Sequence, residues 1–228
     1  MKPTRTSRAW IREHINDPYV QKAKREGYRS RASYKLMEID DRDRLIKAGG
    51  AVVDLGAAPG GWSQLARQRV GRQGKVLAID LLPMEELEGV TFIQGDFTDH
   101  AIRSDLLSRL PDGGADLVLS DLAPNMSGVE LYDQARVMEL AGLGLEFALL
   151  TLKPQGAFLV KVFHGEDFEP FVKSMRESFV TLATRKPAAS RDRSPEVYLL
   201  GKTPKPDAIE AAKQQVLEDQ QTALPDEK

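Results

Sequence analysis

The sequence contains no cysteine. That absence excludes disulfides, thiolate zinc sites and a cysteine nucleophile together, and it suits a reducing compartment, so the expected location is cytoplasmic. Histidine is nearly as scarce: His14, His100 and His164 stand far apart, and no metal centre is expected. No apolar run approaches the roughly 18 residues of a membrane span, so no membrane partner is expected. The opening MKPTRTSRAWIREH is basic but lacks the apolar stretch of a secretory signal, which predicts no export peptide. Internal repeats and signs of a second core are also missing.

What is present fits one globular domain. Hydrophobic residues at 41% and charged residues at 29% exclude a disordered chain, and 228 residues can bury a full core. Net charge is only −2 but unevenly spread. Residues 1–35 carry ten Lys/Arg against three acids, whereas residues 206–228 carry six acids against two lysines. This asymmetry predicts a basic surface for a polyanion, with an acidic tail elsewhere. The expected division is a basic arm over 1–27, a catalytic domain over 28–205, and a peripheral helix or disordered tail over 206–228. In the arm, Lys and Arg alternate with Trp10, Tyr19 and Tyr28, a mixture that suits RNA phosphates and unstacked bases. Pro18 is expected to break any helix there.

An amphipathic helix is expected from about Ser30 to Lys47, stopped by Gly49 and Gly50. Beyond it, strands are expected at 51–55, 75–80, 90–94, 115–120, 156–163, 178–184 and 195–200. Helices fit at about 61–70, 99–110, 131–152 and 166–177. This alternation predicts an α/β fold: a seven-stranded, mostly parallel sheet with helices on both faces and an antiparallel strand at one edge.

The chain centres on VVDLGAAPGGWSQLA, residues 52–66, a buried strand turning through glycines into a helix. In open α/β sheets ligands sit beyond the carboxyl ends of the strands. Four consecutive strand ends carry an acid there: Asp54, Asp80, Asp96 and Asp121. Asp80 stands where a ribose diol would be held. The turn departs from G-x-G-x-x-G, with Ala58 at the second glycine position and Pro59 lacking an N–H. An acid cluster repels a pyrophosphate and attracts a cation, which favours S-adenosylmethionine over NAD. For Trp62 the alternatives are a cofactor contact and core packing.

Lys161 lies inside the apolar run FLVKVF, where a lysine needs a partner. Topology suggests that it converges with Asp121, with Lys35 in the N-terminal helix and with Glu196 at the last strand. Burial and the like charge of Lys35 would then favour a neutral Lys161, able to take a hydroxyl proton. Asn125 and Ser127 fit a turn as readily as a substrate contact. Arg185, Lys186, Arg191 and Arg193 read as phosphate ligands.

SYKL (33–36), DLGAAPGGWSQ (54–64), DLLPM (80–84), QGDF (94–97), SDLAPNMSG (120–128), VKVF (160–163) and RDRSPEVY (191–198) closely resemble the FtsJ-like family of S-adenosylmethionine-dependent ribosomal RNA 2′-O-methyltransferases. The resemblance spans about residues 28–203 and implies the Rossmann-like methyltransferase fold. It implies a catalytic tetrad of Lys35, Asp121, Lys161 and Glu196, with Lys161 accepting the proton and Glu196 contributing least. It places Gly60, Trp62, Asp80, Asp96 and Asp121 at the S-adenosylmethionine site. The implied substrate is a uridine 2′-hydroxyl of 23S ribosomal RNA in the assembled large subunit, and the chain is expected to act as a monomer. Competing readings are another RNA target (transfer RNA or cap), a non-catalytic RNA-binding assembly factor, and a nucleotide-dependent dehydrogenase.

Overall fold

The computed structural model describes residues 16–124, 128, 130–190 and 194–222. Trp10, His14, Asn125, Ser127, Arg191 and Arg193 therefore lie outside the described residues, as do the first fifteen residues of the arm and the last six of the tail. The strands are β1 (Ala51–Leu55), β2 (Lys75–Asp80), β3 (Val90–Gln94), β4 (Ala115–Ser120), β5 (Leu152–Phe163), β6 (Phe179–Arg185) and β7 (Glu196–Pro204). They form one sheet in the order β3-β2-β1-β4-β5-β7-β6. The first five run parallel, and β7 runs antiparallel to both β5 and β6. The expected antiparallel hairpin thus closes one end of the sheet, with β6 outermost.

The helices are α1 (Pro18–Glu26), α2 (Ala32–Asp43), α3 (Gly61–Val70), α4 (His100–Ser108), α5 (Glu130–Thr151), α6 (Phe168–Ser178) and α7 (Pro206–Thr222). The period of two along each strand sorts its side chains between two cores. Val53, Leu55, Val118, Phe158, Val160, Val162, Val197 and Leu199 join the core under α5 and α6. Val52, Leu117, Leu119, Leu159, Tyr198 and Leu200 join Leu36, Ile39, Trp62 and Leu65 of α2 and α3 on the other face. Lys161 shares parity with Leu159, and Glu196 with Tyr198. Both charged side chains are therefore directed to the face that carries α2.

Two local readings need correction. Pro18 does not break a helix but starts one. Its missing N–H costs nothing at the first helical position, and Asp17 caps α1 by accepting from Tyr19 N at 2.9 Å and from Val20 N. Gly49 and Gly50 do not end α2. It stops at Asp43 because Arg44 is left-handed (φ 51°) and the Asp40 carboxylate accepts from Leu45 N at 2.6 Å and Ile46 N at 2.8 Å. Those two bonds turn the chain toward β1 about one turn early. Within the expected arm, α1 packs Ala23 against Tyr34 and Ala189.

Candidate active site

The glycine turn after β1 lies directly against the exit of β4. Gly56 has φ 80°, and a Cβ there would stand 2.8 Å from Leu122 N and 2.9 Å from the Asp121 carbonyl carbon. Only glycine allows both the left-handed backbone and that approach. The turn is fixed by Gly56 N and Ala57 N, which donate to Ile79 O at 2.9 and 3.0 Å, while Asp121 N donates to Leu55 O at 2.9 Å. Asp80 accepts from Ala58 N and from Leu82 N, both at 2.8 Å. One carboxylate therefore holds the loops after β1 and β2 together. Arg29 braces the β2 loop from outside, donating to Glu85 O and Glu86 O at 2.7 Å each.

These loops enclose a cleft of about 360 Å³ whose lining includes Gly56, Asp80, Asp96, Asp121 and Lys161. Asp96 is held by the backbone N–H of Thr98 at 2.9 Å and its hydroxyl at 2.7 Å, and the backbone bond foremost keeps its carboxyl below the usual range. Asp54 lies in the core beside the cleft, fully buried. It accepts the Ser63 hydroxyl on Oδ2 at 2.6 Å, while its Oδ1 is buried with no hydrogen-bond partner. Burial, reinforced by the charges of Asp121 and Asp80, pushes the Asp54 carboxyl up to about 7. Such an array welcomes a cation and repels a pyrophosphate.

Of the expected cofactor residues, Asp80, Asp96 and Asp121 line the cleft, and Gly60 and Trp62 are not part of its lining. The Trp62 ring belongs to the core: it is 3% exposed, packs at a tilt against Tyr198 at 5.8 Å between centroids, and donates Nε1 to Ala32 O at 2.8 Å. Any ligand contact from Trp62 is left to its main-chain N–H in the first turn of α3. Gly60, at φ 104°, sits beneath Arg29 and Met84, either of which a Cβ would strike.

The four expected tetrad residues come together as two ion pairs. Lys161 Nζ lies 2.5 Å from Asp121 Oδ1, and Lys35 Nζ lies 2.5 Å from Glu196 Oε1. Each lysine thus faces its own carboxylate. Tyr198 lies between the pairs: it is opposite Lys161 in the β5–β7 ladder, its ring centroid is 5.8 Å from Lys35 Nζ, and its hydroxyl donates to Glu196 Oε1 at 3.4 Å. Burial holds the Tyr198 phenol well above its ordinary value, so it remains a neutral donor. Lys35 reaches the site because α2 packs tightly on α3, with Ser33 Oγ donating to Gly61 O at 3.0 Å. For Glu196, burial raises the carboxyl, but the Lys35 charge and hydrogen bond, with Ser190 and Lys161, outweigh it and hold it below the usual range.

Arg185 and Lys186 are corrected from phosphate ligands to structural ties. Arg185 grips Asp43 with two bonds of 2.6 and 2.7 Å, and Lys186 donates to Ser194 O at 2.6 Å and Glu196 O at 2.5 Å. No local pattern marks Asp43 as the partner, because the two lie 142 positions apart. Ser190, which donates to Glu196 Oε1 at 2.9 Å, was also not anticipated; it lies one residue before the motif that carries Glu196. Among the described residues no cluster of three or more His, Asp or Glu is arranged to hold a metal ion. No helix among them is long and apolar enough to cross a membrane.

The sheet order and the acid-lined cleft at its carboxyl ends define a Rossmann-like methyltransferase fold. Residues 28–203 match the model of the FtsJ-like methyltransferases, and the chain belongs to that family. It is 64% identical over 203 residues, covering 89% of this chain and 99% of the relative, to a Dechloromonas aromatica protein named ribosomal RNA large subunit methyltransferase E. A protein of the same name from Azoarcus sp. is 62% identical over 88% of this chain and 98% of the relative. A crystal structure described as a ribosomal RNA methyltransferase of Plasmodium falciparum superposes with a TM-score of 0.69 at 29% identity, covering 77% of this chain and 98% of that one. Aeropyrum pernix fibrillarin, solved with S-adenosyl-L-methionine, shares the fold at a TM-score of 0.53 and 13% identity, over 75% of this chain and 73% of its own.

Proposed function

We propose that this chain transfers a methyl group from S-adenosylmethionine to the 2′-hydroxyl of a uridine in 23S ribosomal RNA of the large subunit, with Lys161 as general base. The observation that carries the reading is the Lys161–Asp121 pair on the wall of a carboxylate-lined cleft, with Lys35–Glu196 beside it. The cleft suits a ligand that is cationic and carries no phosphate. Asp80, Asp96 and Asp121 would hold the donor, and Gly56 leaves the room it needs.

Bound there, S-adenosylmethionine supplies an electrophilic methyl group on a sulfonium cation. In its unprotonated form Lys161 Nζ would take the 2′-hydroxyl proton as the oxygen attacks the methyl carbon and the methyl–sulfur bond breaks, its electron pair staying on sulfur. Asp121 keeps the amine aimed, and Lys35, fixed by Glu196, orients the hydroxyl and offsets charge developing on the oxygen. The names of the relatives support large-subunit ribosomal RNA as the target over transfer RNA or cap, since the tetrad chemistry suits any 2′-hydroxyl. On this reading the chain acts as a cytoplasmic monomer, and its basic segment meets RNA phosphates.

The test is Lys161→Ala. S-adenosylmethionine binding, read by calorimetry, should persist, while tritiated methyl transfer to large-subunit RNA should fall at least 100-fold, the lower range of general-base contributions. Retained transfer in that variant would remove the lysine as base.

A further inference from the structure

We propose that Ser190 is a positioning residue of this site, holding Glu196 in the orientation that fixes Lys35. The inference rests on the reading of function given above but stands on its own geometry. Glu196 Oε1 receives three donors: Lys35 Nζ at 2.5 Å, Ser190 Oγ at 2.9 Å and Tyr198 OH at 3.4 Å. The lysine alone leaves the carboxylate free to swing, because one ammonium contact sets a distance and not an orientation. The second short donor, the Ser190 hydroxyl on the same Oε1, adds the directional hydrogen bond that the ammonium does not supply. Ser190 is only 6% exposed, so water does not replace its hydroxyl cheaply.

The loop that carries Ser190 is itself fastened to α2, the helix that carries Lys35. Ala188 N donates to Glu38 Oε2 at 2.8 Å, Arg31 donates to Ala189 O, and Ser190 N closes a turn on Pro187 O at 2.8 Å. Arg31 also pairs with Asp17, the cap of α1. Three successive residues of one loop are thus tied to α1, α2 and Glu196. Lys35 and Glu196 are held in register by this loop as well as by their own contact. The charged and titratable groups facing Glu196 are Lys35 from α2, Lys161 from β5, Tyr198 from β7, and Lys186, which binds its main-chain carbonyl.

The experiment compares wild type, Ser190→Ala and Ser190→Thr. In Ser190→Ala, kcat should fall about tenfold, the equivalent of one hydrogen bond to a charged group, with S-adenosylmethionine affinity unchanged. Its Glu196 carboxylate, followed by 13C NMR and assigned with Glu196→Gln, should titrate at higher pH than in wild type. Ser190→Thr, which keeps the hydroxyl, should restore both. A Glu196 titration that does not move in Ser190→Ala overturns the proposal, whatever the activity. Should the alanine variant fail to fold, Ser190→Cys, nearly isosteric but a weak donor, makes the same comparison. A wild-type protein that transfers no methyl group overturns the functional reading alone, because the titration does not depend on turnover.

Discussion

Replacing Asp54 with asparagine should stabilise this protein, by an amount that grows with pH. Asp54 is fully buried, one of its oxygens has no partner, and Asp80 and Asp121 add negative charge nearby. Together these push its carboxyl from an ordinary 3.8 to about 7 in the folded protein. Folding therefore takes up a proton wherever the unfolded chain is ionised and the folded one is not. Below about pH 4 both states are neutral at this position and the residue costs nothing. Between about pH 4 and 7 stability falls with rising pH, and above about 7 the loss is complete. At about 1.4 kcal/mol per pH unit, the full loss is about 4 kcal/mol. Asparagine keeps the shape and the acceptor for Ser63 but never ionises, although its amide meets the same unpartnered space. The expected gain is about 2–4 kcal/mol at pH 8 and about zero at pH 4. Urea unfolding of both proteins across that range reads the difference directly, with equal m-values as the control. Carboxylates shifted the other way, such as Asp43 and Asp116, act equally in both proteins and cancel. A pH-independent difference, or a less stable variant at pH 8, would refute the reasoning. The cost makes sense if the acid serves a cationic ligand, because a residue held for stability alone would be neutral.

Other outcomes follow from the same geometry. Asp43→Ala removes both bonds to Arg185 and strands that guanidinium at 16% exposure, so urea unfolding should show a loss of about 3 kcal/mol. The Arg185 hydrogen bonds hold the Asp43 carboxyl below its ordinary value, so its contribution is present above the usual carboxylate range and is lost as pH falls. Gly56→Ala places a Cβ against Leu122 N in a left-handed turn, and should cost at least about 1–2 kcal/mol and weaken S-adenosylmethionine binding in a calorimetric titration. Asp80→Ala frees the loops after β1 and β2 together and should weaken that binding at least tenfold, or about 1.4 kcal/mol.

The sheet was legible because its signals are local and repeated. The short apolar runs at 51–55 and 115–120 mark the strands one at a time, and the period of two puts Lys161 and Glu196 on one face. The acids at the strand ends were readable for the same reason, since strand ends in this architecture surround the ligand. The family resemblance added the pairing of four residues that spacing does not reveal. What was misread depended on partners distant in sequence or on competing local bonds. Pro18 reads as a breaker until Asp17 is seen as its cap. The end of α2 depends on which backbone amides the Asp40 side chain reaches, and no hydropathy pattern carries that choice. Arg185 and Lys186 look like a basic patch until Asp43 and the Glu196 carbonyl arrive from elsewhere in the fold. For Trp62, where core packing and a cofactor contact stood open, the ring lies in the core because α3 turns that side toward Tyr198.

The central claim is methyl transfer to a ribosomal 2′-hydroxyl, and it is tested most directly by mapping 2′-O-methyl groups by mass spectrometry. Large-subunit ribosomal RNA from cells lacking this chain would be compared with RNA from the same cells carrying wild type or Lys161→Ala. The account predicts that one uridine loses its 2′-O-methyl group, that wild type restores it and that the variant does not. An unchanged set of 2′-O-methyl groups in the absence of the chain would contradict it.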